Sequence, residues 1–260
     1  MEDAILFNVD RPAFDTTVRV ALPLYQGQSG PCAYLPGRTA THEYMLSRHL
    51  APDRYQRLMD SGFRRSGLVV YRPACEGCRE CVPIRVPARD FAASRSQRRV
   101  QRRNADVRVT IDAPRATDEK WRLYYEYRQW QHNESASDEQ EDFEEFLYRS
   151  PLEEAGMSRT LEMSYWIGER LAAVGIVDVC PDALSSVYVY FDPVHAKRSL
   201  GVFSALCEIE ECRRRGLAYW YVGYYIRDCR RMNYKAHYLP YELLGPDGLW
   251  RRPSAVEVVP

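Results

Sequence analysis

Three cysteines in the run Cys75-Glu-Gly-Cys78-Arg-Glu-Cys81 constrain this chain more than any other stretch. Two steps of Cys-x-x-Cys spacing call for a tight turn that aims several sulfurs at one point. A closed tetrahedral site needs four ligands. Cys32 is the natural fourth, because it lies in the turn-rich segment QGQSGPCAYLPGRTATHEY rather than in a periodic core element. Two readings stand for Cys32, Cys75, Cys78 and Cys81: a structural zinc or iron–sulfur site, or four reduced thiols packed in a small core. No cysteine follows Cys81 at the spacing of a bacterial ferredoxin, which argues against that pattern. Cys180, Cys207, Cys212 and Cys229 are scattered and read as small buried hydrophobes.

An arginine run follows the knuckle. Arg95, Arg98, Arg99, Arg102 and Arg103 recur at three- and four-residue steps behind Ser94, a candidate N-cap. On a helix they form one broad stripe suited to a phosphate backbone. The competing reading pairs the stripe with the acidic segment 138–145. Net charge is zero over 260 residues, which speaks against indiscriminate nucleic-acid binding. What counts is therefore where the arginines lie. Hydrophobic content of 45% and charged content of 28% fit a globular chain, and no apolar run reaches the roughly 20 residues that span a bilayer. With no secretory signal visible and eight cysteines read as thiols, the expected location is cytoplasmic, with no membrane partner.

Periodicity predicts strands over 17–24, 66–71, 83–86 and 107–112, and helices over 52–60, 95–104, 117–131 and 139–149. Three strands follow over 160–166, 171–179 and 185–191, with Gly168 turning the first hairpin. A long helix over 199–215 and a strand over 218–222 come next. This order is α/β or α+β with a mixed sheet. The block from Tyr188 to Ile226 has an acyltransferase layout. A strand ends in Asp192-Pro193, a loop leads to Ser199-Leu200-Gly201 at a helix start, and a second strand exits through Gly-Tyr-Tyr. A helix start offers free N–H groups to an oxyanion, and glycine lets a ligand come close.

The segments GPCAYLPGRTATHEY, YRPACEGCRECVPIRV, FAASRSQRRVQRRN, YVYFDP, SLGVFSALCEIE and YVGYYIRDCRRMNYKAHYLPYELL together resemble the aminoacyl-tRNA–protein transferases of the N-degron pathway, and within them the short bacterial leucyl-transferring branch. The resemblance implies a small N-terminal cysteine-bearing domain over 1–104 and a C-terminal acetyltransferase-like domain over 105–260. It implies leucine transfer from leucyl-tRNA to proteins beginning with Asp or Glu, marking them for degradation, with no cofactor required for transfer. The alternatives are arginyl transfer to the same acceptors, a non-catalytic RNA-binding zinc-knuckle protein, and an acetyl-CoA-dependent N-acetyltransferase. The last lacks the expected Gly-rich pyrophosphate loop. For the transfer, Asp192 is the candidate to receive or orient the amine, Ser199 and Gly201 to hold the oxyanion or the ester, and Tyr190 and Tyr225 to relay protons. Lys235 would contact the tRNA end or the acceptor carboxylate. A bidentate arginine for that carboxylate would come from Arg38, Arg72 or Arg85.

Overall fold

The computed structural model describes residues 4–5, 22–132 and 140–253. The N-terminal part forms a four-stranded antiparallel sheet. Its strands are β1 (Tyr25–Gln26), β2 (His42–Leu46), β3 (Arg64–Ser66) and β4 (Val69–Pro73), in the order β1-β2-β4-β3. Helix α1 (Pro52–Asp60) lies between β2 and β3 and buries Tyr55, Leu58 and Met59. The single strand expected over 66–71 is a hairpin, because Gly67 turns the chain at φ 56°. A Cβ there would meet the Glu145 carbonyl at 2.4 Å, so glycine also lets the hairpin close on the segment after Phe143. Of the strand expected over 17–24, Leu22–Pro23 is a short strand paired with Ala4–Ile5, and residues 17–21 lie outside the described residues.

The second sheet has eight strands. Introduced along the chain they are β5 (Val82–Pro87), β6 (Val107–Asp112), β7 (Thr160–Ile167), β8 (Arg170–Val179), β9 (Ala183–Phe191), β10 (Tyr219–Tyr225), β11 (Glu242–Leu244) and β12 (Trp250–Arg251). Their order is β6-β7-β8-β9-β10-β5-β11-β12. Only β9 and β10 run parallel, and helix α5 (Leu200–Arg214) makes the crossover between them. The sheet is thus mixed and the class α/β. β5 belongs to the cysteine-bearing segment of the sequence yet pairs with β10 and β11, so the sheet draws on both parts of the chain.

Both faces are covered. On one lies α5, whose Leu200, Phe203, Leu206 and Ile209 recur every three residues and are buried with Ile84, Tyr165 and Trp220. Each such side chain contributes about 1.5–3 kcal/mol by leaving water. Helix α2 (Arg95–Arg103) lies outside α5, with Val100 against this core. Across the other face run α3 (Asp118–His132) and α4 (Gln140–Phe143), which continues as one π-helical turn over Glu144–Tyr148. They bury Leu123, Tyr124, Phe143 and Leu147 against Val174, Ile176 and Tyr190. The acidic helix expected over 139–149 is therefore short, and residues 138 and 139 lie outside the described residues. Beside it, α1 packs Tyr55 and Met59 onto Ala183 and Tyr221.

Candidate active site between two parting strands

β9 and β10 pair only over Ala183–Ser185 and Tyr219–Tyr221. Beyond that point each strand carries a bulge. The register of β9 against β8 skips Val187, and that of β10 against β5 skips Val222. Bulges bend a strand away from its neighbour. Gly223, at φ 99°, completes the bend in a conformation that side chains other than hydrogen resist. The two central strands part into a cleft. Ser186, Val187, Tyr188 and Val189 stay only half-buried, as do Val222 and Gly223, although both strands lie mid-sheet.

The parting strips backbone groups of their sheet partners, and two cations take them up. Arg64, from β3, donates Nη2–H to the Ser186 carbonyl at 2.5 Å. Lys235 donates Nζ–H to the Tyr224 carbonyl at 2.8 Å. Arg64 is 7% exposed and Lys235 8%. Burial, reinforced by the field of Arg64, pulls the Lys235 ammonium down to about 7. On the α5 side sits Glu208, fully buried, accepting from Trp220 Nε1 at 2.8 Å and Ser204 Oγ at 3.2 Å. Burial pushes its carboxyl up to about 7. The sequence reading singled out neither Arg64 nor Glu208. Its only signal for Arg64 was an Arg-Arg pair inside the short segment Phe63–Ser66, and nothing local marks Glu208 within an amphipathic helix.

At its outer end the cleft reaches the start of α5. Ser199 adopts φ 58°, ψ 49°, and its carbonyl accepts from the N–H groups of Val202 and Phe203. The first two helical N–H groups, those of Leu200 and Gly201, have no intrahelical acceptor. A Cβ on Gly201 would lie 3.7 Å from Phe191 Cε1, so the helix start abuts the end of β9. Phe191 in turn carries Tyr127 and Trp130 of α3 at ring distances of 4.9 and 5.7 Å. Next to this end opens a cavity of about 810 Å³. Val202, Tyr225, Arg227, Tyr234 and His237 line it, together with Ser94, Ser96, Gln97 and Val100 from α2.

α2 forms as the sequence predicts. Ser94 caps it, accepting from Gln97 N–H while the Gln97 side chain accepts from Ser94 N–H. The helix lies on α5, and all five arginines are exposed. Arg98 donates to Ala93 O at 2.5 Å and Arg103 to Lys197 O at 2.5 Å. The side chains of Arg95, Arg99 and Arg102 make no ion pair or hydrogen bond among the described residues. The helix that carries the stripe lines the cavity through Ser96, Gln97 and Val100, and none of the five arginines pairs with a described residue of the acidic segment.

The other expected residues fall into place differently. Asp192 is 1% exposed and caps the short 3-10 turn Pro193–Arg198, accepting from Val194 N–H at 2.9 Å. Its second oxygen faces Arg170 Nη2 at 2.9 Å, off the hydrogen-bond line. Its geometry is that of a cap and an ion pair. Tyr190 is fully buried, shares a 2.9 Å hydrogen bond with the Tyr148 hydroxyl, and is raised well above the usual phenol range by burial. Tyr225 lies at the cavity wall. Lys235 is remote in character from a surface phosphate contact, since it is buried in the cleft.

Of the three arginines expected to read a carboxylate, two already hold one. Arg85 donates Nε–H to Glu242 at 2.8 Å, contacts Asp60 at 3.2 Å and stacks on Tyr219. Arg72 pairs with Glu43 at 2.8 Å. Arg38 is exposed and donates to Cys78 Sγ at 3.2 Å.

The four cysteines do come together. Burial pushes the Cys81 thiol up to about 12, and Cys32, Cys75 and Cys78 add to the effect from close by. Cys75 Sγ accepts from Thr41 N–H at 3.4 Å. Four neighbouring thiols suit a thiophilic ion chemically. Among the described residues no group of three or more His, Cys, Asp or Glu side chains is already gathered around a single metal position.

Comparison with known proteins completes the picture. Residues 30–99 match the family model for the N terminus of arginine-tRNA-protein transferase, and residues 119–245 that for its C terminus. Two relatives are named aspartate/glutamate leucyltransferase. That of Marinobacter nauticus is 41% identical over 226 residues, 86% of this chain and 92% of its own. That of Pseudomonas savastanoi pv. phaseolicola is 39% identical over 226 residues, 86% and 94%. The chain belongs to the aminoacyl-tRNA–protein transferase family. Among solved structures it is similar to L-PGS from Bacillus licheniformis, at 10% identity, 78% and 69% coverage and TM-score 0.40. It is also similar to the ribosomal-protein-S18-alanine N-acetyltransferase from Escherichia coli, at 21% identity, 42% and 63% coverage and TM-score 0.30. The family's two models leave residues 100–118 between them, including β6, and the parted strands, the α5 start and the cavity wall from Tyr225 to Tyr241 all fall within the second.

Proposed function

We propose that this protein transfers leucine from leucyl-tRNA to the N-terminal amine of proteins beginning with Asp or Glu, and so marks them for degradation. Family membership at about 40% identity to leucyltransferases supports the donor and the acceptor class. The observation that carries the reaction type is the cleft between β9 and β10, which leads to the α5 start and to a cavity lined in part by the helix that carries the arginine stripe. A cavity of that size suits an aminoacyl-adenosine end, and the arginine stripe suits the tRNA backbone that follows it.

The chemistry needs alignment more than force. The ester is already activated, and an N-terminal ammonium has a pKa of about 8, so a free amine is accessible near neutrality. The amine nitrogen attacks the ester carbonyl, the new C–N bond forms, and the C–O bond to the ribose breaks. The Leu200 and Gly201 N–H groups would stabilise the oxyanion. Lys235, held to about 7 and therefore partly neutral at pH 7, would take the proton from the attacking nitrogen. The ribose oxygen leaves with a proton, and tRNA is released. Asp192 and Tyr190 would act by fixing the end of β9, with Ser199 setting the α5 start and Tyr225 forming the wall beside the ester. No step passes through the cysteines.

We place the reaction in the cytoplasm, in keeping with eight cysteines that are all free thiols among the described residues. No helix among those residues is long and apolar enough to cross a membrane. The experiment is transfer of labelled leucine from leucyl-tRNA to an Asp-starting peptide, run beside arginyl-tRNA and acetyl-CoA as donors.

A further inference from the structure

Two consecutive arginines enter the interior from β3, and among the described residues only one meets a carboxylate. Arg65 grips Asp178 through Nε and Nη2, each at 2.6 Å, in a pair that is wholly buried. Arg64 is 7% exposed, and among the described residues it donates to the Ser186 carbonyl and to the Met59 sulfur at 3.7 Å. A buried guanidinium without a counter-ion costs several kcal/mol. Three of its five N–H donors are left over after these two bonds. Two carboxylates approach the region, and both are engaged. Asp178 is held by Arg65. Glu208, which feels the field of Arg64, is bonded to Trp220 and Ser204 and held toward neutrality.

Two buried hydroxyls nearby are also unpaired among the described residues. The buried Tyr55 hydroxyl lies within electrostatic reach of Arg64, and the buried Ser185 Oγ precedes the residue to which Arg64 is bonded; neither has a partner. Lys235 brings a buried amine to the same parting of the strands, beside the Arg64 guanidinium that helps lower its pKa. A place with two cationic groups and spare donors, next to half-buried strand edges, is made for an anion that arrives with a ligand.

We propose that Arg64 is the specificity residue that reads the side-chain carboxylate of the acceptor's N-terminal Asp or Glu. This rests on the transfer reaction set out above. The carboxylate takes two N–H groups of the guanidinium, and the α-amine of the same residue then lies in the cleft beside Lys235. An amide in place of the carboxylate leaves the buried cation unpaired, which is how such a site rejects Asn- and Gln-starting chains.

The test compares wild type, Arg64→Gln and Arg64→Lys with leucyl-tRNA and matched peptides starting with Asp or Asn. Arg64→Gln is expected to raise KM for the Asp peptide on the order of 10- to 100-fold. KM for leucyl-tRNA should hold, and the preference for Asp over Asn should collapse. Arg64→Lys keeps the charge and should restore part of that preference. A purely structural arginine would instead impair both peptides and the tRNA alike. A folded Arg64→Gln with its Asp preference intact overturns the proposal. A second arm needs no variant: the Arg64 Nε–H NMR signal of the wild type should shift on adding the Asp peptide and not the Asn peptide. The same response to both peptides also overturns it. If the wild type moves no leucine to any peptide, the transfer reading fails, and the NMR arm still decides the role of Arg64.

Discussion

Glu208 is fully buried on α5, and burial outweighs its hydrogen bonds from Trp220 and Ser204, raising its carboxyl from 4.5 to about 7. The folded pKa lies above the unfolded one, so its contribution favours folding below about pH 4.5 and is lost as pH rises through about 7. Glu208→Gln removes this dependence. The variant should gain on the wild type by about 2 kcal/mol between pH 5 and pH 7.5 in urea unfolding; a constant offset would mean that Glu208 does not titrate there. Asp178 lies in a wholly buried ion pair with Arg65. Asp178→Asn strands the Arg65 cation and should cost about 3–5 kcal/mol in the same measurement. A loss below about 1 kcal/mol, the range of exposed pairs, would show that water reaches this arginine. None of these roles could be read along the chain. Arg64 meets Ser186 122 positions away, and Arg65 meets Asp178 113 positions away. Whether a given arginine is buried, and beside which acid, is decided by tertiary packing.

Elements were more legible, because helix periodicity, caps and glycine turns act within a few residues. The Ser94 cap that starts α2 and the Gly168 hairpin between β7 and β8 were visible in sequence, and so were α5 and the strands flanking it, whereas the reciprocal bond from Gln97 emerged only in the structure. The Arg64–Pro73 hairpin was misread as one strand because the turn at Gly67 depends on the segment it closes against. The parting of β9 from β10 was anticipated only as a layout; its bulges are set by neighbouring strands. Two predictions belong here. Replacing Arg95, Arg99 and Arg102 together should weaken binding of all tRNAs alike and flatten the salt slope by up to about two to three units. Fluorescence titration across ionic strength reads this, and an unchanged slope would move the tRNA backbone elsewhere. Gly223→Ala places a Cβ 3.2 Å from Lys235 Nζ at a φ of 99°. It should therefore lower kcat more than it alters KM for leucyl-tRNA. A kcat matching the wild type's would remove the bend, and Lys235 with it, from the chemistry.

At the scale of the whole molecule, one sheet joins the cysteine-bearing segment to the transfer region through β5, and the four thiols gather where that segment meets Ile226 and Cys229. In the proposed reaction donor and acceptor would be brought together from two sides: the tRNA along α2 and the cavity, the acidic N-terminus at the parting of the strands. The direct test is a single assay. Purified protein is incubated with labelled leucyl-tRNA and peptides that differ only in their first residue. Leucine should pass to peptides starting with Asp and Glu and not to the one starting with Lys, and arginyl-tRNA should serve as the poorer donor. Equal transfer to the Lys-starting peptide, or faster transfer of arginine than of leucine, would contradict the account.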